Sequence, residues 1–159
     1  MITKLKTGDV INVHNVGIIP KLISKFIGSY CNHTACYIGD GLIIESHFTG
    51  VRVVPLFWHK DYTVSRHKTA TITQLSDAVA YMLNRVGCKY DFLGLLGIGI
   101  NMFLNRTKNS LDDKEKYWCS ELIADGYINV GIETGFNKNT ILISPADFVN
   151  NTKYFMEVK

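Results

Sequence analysis

The chain has 159 residues, of which 47% are hydrophobic and 19% are charged, and its net charge is +3. This composition is typical of a globular protein and excludes a disordered chain, so we predict one domain over residues 1–159. The small positive charge forms no basic stripe and gives no indication of nucleic-acid binding. The longest apolar stretch, residues 92–104, is too short to span a membrane, and no signal peptide is visible. We therefore expect a cytoplasmic protein with free thiols at its four cysteines.

Strands dominate the first part of the chain. Alternating or β-rich stretches predict strands at 9–14, 34–38, 42–46, 51–54 and 62–66. A glycine-containing turn at Gly39-Asp40-Gly41 predicts a hairpin between the second and third strands. One helix is predicted to begin near Pro20 and to end near Gly28.

Helices dominate the second part. The clearest helix covers residues 73–86, with Gly87 placed to end it. Another begins at Cys119 and runs to about Asn129, and a third begins at Ser144-Pro145. Short strands are predicted at 141–143 and 154–158. This order predicts an α+β fold, with a small antiparallel sheet packed against helices on one side.

Cys119 lies at the predicted start of a helix, in Tyr117-Trp118-Cys119-Ser120-Glu121. The unpaired N–H groups and the dipole of a helix N-terminus stabilise an anion, and so favour the nucleophilic thiolate. Cys119 is therefore a candidate nucleophile, although buried structural cysteines are commoner.

A thiolate nucleophile needs a base, and the base needs a group that orients it. His33 lies at the mouth of a strand with small or apolar residues, and Glu45 lies on the return strand of the hairpin. Adjacent strands are about 5 Å apart, so a hydrogen bond between these two side chains is feasible. His47 shares a face with Glu45 and is a substitute candidate. The other histidines stand in polar surroundings and are predicted to be surface residues: His14, His59 and His67.

Two groups of motifs carry a family resemblance. The first comprises Gly8-Asp9-Val10, Asn32-His33-Thr34-Ala35-Cys36-Tyr37-Ile38-Gly39-Asp40-Gly41, Ile44-Glu45-Ser46 and Gly50-Val51. The second comprises Gly87-Cys88-Lys89-Tyr90-Asp91 and Tyr117-Trp118-Cys119-Ser120-Glu121-Leu122. The first resembles the His half of NlpC-type papain-like cysteine hydrolases, and the second resembles their Cys half. Because Cys119 follows His33 by 86 positions, the order is similar to that of the circularly permuted, YiiX-like branch. The segment Ser144-Pro145-Ala146-Asp147-Phe148 resembles the start of that branch's C-terminal helix.

The resemblance implies a permuted papain-like fold with a half-barrel sheet and the catalytic cysteine at a helix N-terminus. It implies Cys119 as nucleophile, His33 as general base and acid, and Glu45 as the residue that orients the imidazole. Tyr90 and Trp118 match positions near the nucleophile and are candidates for the substrate or oxyanion side. The implied activity is hydrolysis of, or acyl transfer from, an amide or ester, with no cofactor.

Other readings stay open. A catalytically silent binding module on the same fold would keep these residues for structure alone. A zinc site of Cys31, His33 and Cys36 with a further cysteine is disfavoured by its spacing, so no metal is predicted. No Gly-x-Ser-x-Gly motif indicates a serine hydrolase.

The substrate is expected to be a small peptide, a peptidoglycan-derived amide or a lipid. Residues 92–100 predict an acyl-chain groove, a lid or a buried helix, and 92–104 are a candidate for contact with a membrane surface. The oligomeric state is not readable from the sequence.

Overall fold

A computed structural model describes residues 5–90, 116–136 and 139–158. Its main feature is a six-stranded antiparallel sheet with the order β4-β3-β2-β1-β5-β8. Its strands are β1 (Val10–Val13), β2 (His33–Gly39), β3 (Leu42–His47), β4 (Gly50–Pro55), β5 (Tyr62–His67) and β8 (Phe155–Glu157). Two short strands, β6 (Lys89–Tyr90) and β7 (Lys116–Tyr117), form a separate parallel pair. The predicted α+β class and antiparallel sheet are confirmed.

The helices are α1 (Ile18–Ile27), α2 (Ile72–Leu83), α3 (Cys119–Asn129) and α4 (Pro145–Asn150). Short 3-10 helices cover Leu56–Trp58 and Thr140–Leu142. Within the described ranges, no helix is long and apolar enough to cross a membrane. Residues 92–100, for which a groove, lid or helix was predicted, and the proposed membrane contact at 92–104 lie outside the described residues.

Both faces of the sheet are buried. One face packs with α2, α3 and α4 in a large core that includes Met82, Leu122, Tyr127 and Phe148. The opposite face carries a second cluster, with members on β1 to β5 and Leu56 of the first 3-10 helix. The sheet therefore has two apolar faces, as expected for a curved half-barrel; the barrel is not closed.

The turn between β2 and β3 explains the predicted hairpin. Gly39, Asp40 and Gly41 have φ values of 112°, 50° and 74°, a conformation that side chains with a Cβ rarely adopt. Glycine at two of the three positions removes most of that cost, and the backbone can reverse direction within three residues. The turn thus pairs β2 with β3, the strands that carry His33 and Glu45, and the register of this pair shifts between Tyr37 and Gly39.

Two predicted elements are wrong. Helix α2 ends at Leu83, not near Val86, because Gly87 donates its N–H to the carbonyl of Val51 and Val51 donates its own to Cys88. These bonds to β4 turn the chain away from the helix axis. In place of the strand predicted at 141–143, a 3-10 helix covers Thr140–Leu142, and Ile143 directly after it donates its N–H to the carbonyl of Thr140.

Candidate active site

The β2–β3 hairpin brings His33 and Glu45 together. His33 opens β2, Glu45 lies inside β3, and the His33 Nε2 to Glu45 Oε2 distance is 2.8 Å. His33 is 8% exposed and Glu45 is fully buried. The hydrogen bond expected between these two residues is therefore present, in a site that excludes most water.

The carboxylate of Glu45 accepts hydrogen bonds at both oxygens. His33 and His59 each place Nε2 against Oε2, at 2.8 and 2.9 Å. Arg52 donates from Nε and Nη2 to Oε1, at 2.9 and 2.7 Å. Burial raises the pKa of this carboxyl, but hydrogen bonds from His33, His59 and Arg52 outweigh burial and hold the pKa well below its usual value. Glu45 is thus a fixed, ionised acceptor.

Cys119 begins α3 and is 4% exposed. The N–H of Trp118, which precedes the helix, donates to Glu121 Oε2 at 3.2 Å and so helps to fix the helix start. Ser46 on β3 donates to the Tyr117 carbonyl at 2.5 Å, which joins the hairpin to the segment that enters α3. The chain therefore holds the thiol against the strand that carries His33.

The electrostatics of Cys119 and His33 are coupled. Burial would raise the pKa of the Cys119 thiol, but the hydrogen bond and charge of His33 outweigh burial, and the pKa of Cys119 is lowered. Burial would lower the pKa of His33, but hydrogen bonds to Cys119 and Glu45 raise it to about 10. Because Nε2 of His33 engages Glu45, Nδ1 is the ring nitrogen that remains for an interaction with the thiol. The arrangement favours a thiolate–imidazolium pair.

Tyr90 and Trp118 lie beside the thiol. Trp118 and Cys119 form a buried cluster, against which Tyr90 and Leu142 pack. The β6–β7 pair places Tyr90 alongside Tyr117. Trp118 is 1% exposed, and its indole Nε1 has no hydrogen-bond partner among the described residues. This leaves a buried N–H donor without an acceptor in the residue that precedes the candidate nucleophile.

The prediction of surface histidines is wrong for two of the three. His59 follows the first 3-10 helix and bonds Glu45 with a side chain that is 11% exposed. His67 is buried and contacts the Glu133 carbonyl. His47, the substitute candidate on the same face as Glu45, is not among the residues that bond Glu45. Its Nδ1 is buried and has no hydrogen-bond partner in the described part of the chain.

Arg52 was also missed, although the sequence contains a signal for it. The β3–β4 hairpin pairs Glu45 directly with Arg52. A two-residue turn at Phe48-Thr49 would place these opposite charges across from each other, a stabilising cross-strand pair.

A metal ion could be held by His33, Glu45 and His59, since one ligand atom from each lies within 4.8 Å of the others. Over the described residues, the disfavoured set of Cys31, His33 and Cys36 does not assemble. All four cysteines are free, as expected.

The fold is that of a papain-like protein in which the His half precedes the Cys half. A protein-family comparison matches residues 4–145 to the permuted papain-like amidase enzymes, YaeF/YiiX, C92 family. The chain belongs to this family, which is one of cysteine hydrolases of the amidase type, and the predicted YiiX-like branch is confirmed.

A solved structure has the same fold. It is described as metalloprotein YiiX from Escherichia coli O157:H7, and it superposes with a TM-score of 0.71 at 18% identity. The match covers 97% of this chain and 96% of that one. A comparison with curated proteins found no match.

Proposed function

We propose that this chain is a cysteine hydrolase that cleaves an amide or ester bond through Cys119, His33 and Glu45. The observation that carries the proposal is a buried thiol at a helix start whose pKa is lowered by His33, an imidazole that also bonds a buried carboxylate through Nε2. Three groups in these roles form the nucleophile, base and orienting residue of covalent catalysis.

The proposed reaction has two halves. The Cys119 thiolate attacks the substrate carbonyl carbon, a C–S bond forms, and the carbonyl π electrons move to oxygen. His33 then gives its proton to the leaving nitrogen or oxygen as that bond breaks. In the second half, water gives a proton to His33 and attacks the thioester. The C–S bond breaks, and an acid and the thiolate are released; an alcohol or amine in place of water would give acyl transfer.

The oxyanion of each tetrahedral intermediate needs hydrogen-bond donors. The backbone N–H of Cys119 at the start of α3 is one candidate, and the Trp118 indole Nε1 is the second. Tyr90 packs beside both residues and is assigned to the substrate side.

The family description favours an amide as the bond that is cleaved. The proposal covers peptide-derived, peptidoglycan-derived and lipid-derived amides. The E. coli structure is titled a metalloprotein, and His33, Glu45 and His59 offer a donor set that suits zinc. Every step above uses protein groups alone.

Competitive alkylation tests the nucleophile. Cys88 is more exposed than Cys119, so accessibility alone predicts that Cys88 reacts first. Activation by His33 predicts the reverse order with a small haloacetamide near neutral pH, read by peptide mass spectrometry. Cys36 is the slow reference, because burial raises the pKa of its thiol. Equal labelling of all four thiols would contradict the enzyme and favour a silent binding module.

Mass spectrometry of trapped intermediates tests the substrate. Protein exposed to cell extract and quenched in acid should carry an acyl adduct on Cys119, and its mass identifies the acyl group. Cys119→Ser is the matched control and should carry no thioester adduct.

A further inference from the structure

We propose that His33, Glu45 and His59 form a binding site for a zinc-class divalent ion, and that the bound ion switches the hydrolase off. The binding half of this proposal stands on the site geometry alone. The switching half rests on the proposed cysteine mechanism, because His33 is shared by both.

The donor set has the chemistry of a zinc site. Two imidazole nitrogens and one carboxylate oxygen are ligands that Zn²⁺ takes, with a fourth position left for water. Imidazole donors also suit Co²⁺, Ni²⁺ and Cu²⁺, whereas Mg²⁺ and Ca²⁺ prefer oxygen ligands. The set therefore selects the zinc class over alkaline-earth ions.

The geometry needs only small movements. His33 Nε2 and His59 Nε2 lie 2.8 and 2.9 Å from Glu45 Oε2, and all three atoms lie within 4.8 Å of one another. Ligand atoms around tetrahedral zinc are about 3.4 Å apart, given metal–ligand distances of about 2.1 Å. Each imidazole would thus retreat from the oxygen by roughly 0.5 Å as an ion enters. The side chains of His33 and His59 are 10% and 11% exposed, which gives the ion an approach from solvent.

Arg52 affects both the orientation of Glu45 and how tightly the site can hold an ion. Its guanidinium occupies Oε1 of Glu45 and leaves Oε2 to the two histidines. Arg52 therefore fixes the carboxylate for an ion at Oε2, but its charge opposes a second cation nearby. This balance fits an ion that binds reversibly and not a permanently held cofactor.

The switch follows from the two nitrogens of His33. With an ion on Nε2, the ring keeps its one remaining proton on Nδ1, the nitrogen that the proposed mechanism assigns to Cys119. The ring then has no lone pair with which to accept a proton from the thiol or from water. The hydrolytic cycle stops, although the thiol itself is not a ligand.

Cobalt spectroscopy tests the site without relying on activity. Metal-free Cys119→Ser protein is titrated with Co²⁺, and the visible absorption of four- or five-coordinate Co²⁺ is recorded with calorimetric stoichiometry. We expect one ion per chain, and Cys119→Ser should bind it as well as the unsubstituted protein does. The unsubstituted protein should show no sulfur-to-cobalt charge-transfer band. His59→Gln should weaken binding by more than about tenfold, the least that loss of an outer-shell partner costs. The matched control is His14→Gln, which should not change binding. His14 stacks on Tyr30 and lies outside the group of three candidate ligands.

Loss of binding in Cys119→Ser together with full binding in His59→Gln would overturn the site in favour of thiol capture. Absence of Co²⁺ absorption in every protein would also overturn it. For the switch, Zn²⁺ should abolish turnover and a chelator should restore it. In His59→Gln, the Zn²⁺ concentration needed for inhibition should rise by the same factor by which the Co²⁺ affinity falls. Turnover that Zn²⁺ increases would overturn the switch. A protein that binds Co²⁺ as expected but forms no acyl-enzyme with or without chelator would refute the proposed function and leave the site standing.

Discussion

Replacing Glu45 with glutamine tests how much of the candidate site depends on one buried charge. The carboxylate accepts from four N–H groups, two on each oxygen. Glutamine keeps the shape but offers one acceptor oxygen and one NH₂ group. Whichever way the amide is turned, its NH₂ group faces either the two histidines or the Arg52 guanidinium. The NH₂ group then faces two N–H donors with no acceptor between them, and Arg52 loses its counter-ion.

The expected cost is large. Removing one partner of a buried ion pair costs about 3–5 kcal/mol. For a chain of this length each kcal/mol lowers Tm by roughly 2–4 °C, so Glu45→Gln should melt about 6–20 °C lower. The variant also loses the acceptor that fixes His33, so kcat/KM should fall by about 10²–10⁴-fold, the contribution of a positioned acid–base group.

Thermal denaturation measures the first effect, and a rate assay at a temperature where the variant is folded measures the second. Glu157→Gln is the matched control, because Glu157 lies exposed on β8 and its loss should change stability by less than about 0.5 kcal/mol. A Glu45→Gln protein that melts with the Glu157→Gln control would refute the claim that the carboxylate is ionised and saturated.

Three further predictions follow from the same structure. The pH profile of kcat/KM should be bell-shaped: activity rises as Cys119 loses its proton below the ordinary thiol pKa of 9.0, and it falls only near the His33 pKa of about 10. A decline centred near 6.5, the ordinary histidine pKa, would contradict the ion pair. Trp118→Phe keeps an aromatic side chain, although a smaller one, and removes the indole N–H, so kcat should fall by about 10²-fold if Nε1 serves the oxyanion; unchanged kcat with normal melting would remove Trp118 from that role. Gly50→Ala should destabilise by about 1–3 kcal/mol more than Gly131→Ala. Both glycines have positive φ, but only at Gly50 would a Cβ lie 2.6 Å from a carbonyl oxygen, that of Cys88; equal melting temperatures would show that the backbone yields.

The parts of the structure that local patterns determine could be predicted. The turn glycines 39 and 41 mark the hairpin, and Ser144-Pro145 marks the start of α4 at Pro145. The helix that begins at Cys119 extends to Asn129, as predicted. In each case the residues that decide the conformation are neighbours in sequence.

The parts of the structure that depend on residues distant in sequence could not be predicted. His59 stands in the polar run His59-Lys60-Asp61, which is typical of a surface loop, and only the folded chain shows that it bonds Glu45. The end of α2 is decided by hydrogen bonds to Val51 and not by the apolar periodicity that continues to Val86. Likewise, the apolar pattern at 141–143 predicts a strand, whereas the chain forms a 3-10 helix over Thr140–Leu142.

The hairpin and α3 come from widely separated parts of the chain. His33, Glu45, Arg52 and His59 fall within one continuous stretch, whereas Cys119 reaches them from 60 positions beyond its end at His59. An unfolded or half-made chain therefore contains only ordinary thiols. On the proposed mechanism, Cys119 becomes reactive when α3 docks on β2 and loses that reactivity when the contact opens. The rate at which Cys119 is alkylated would then report the docking of α3, and no activated nucleophile would exist before the two parts of the chain meet.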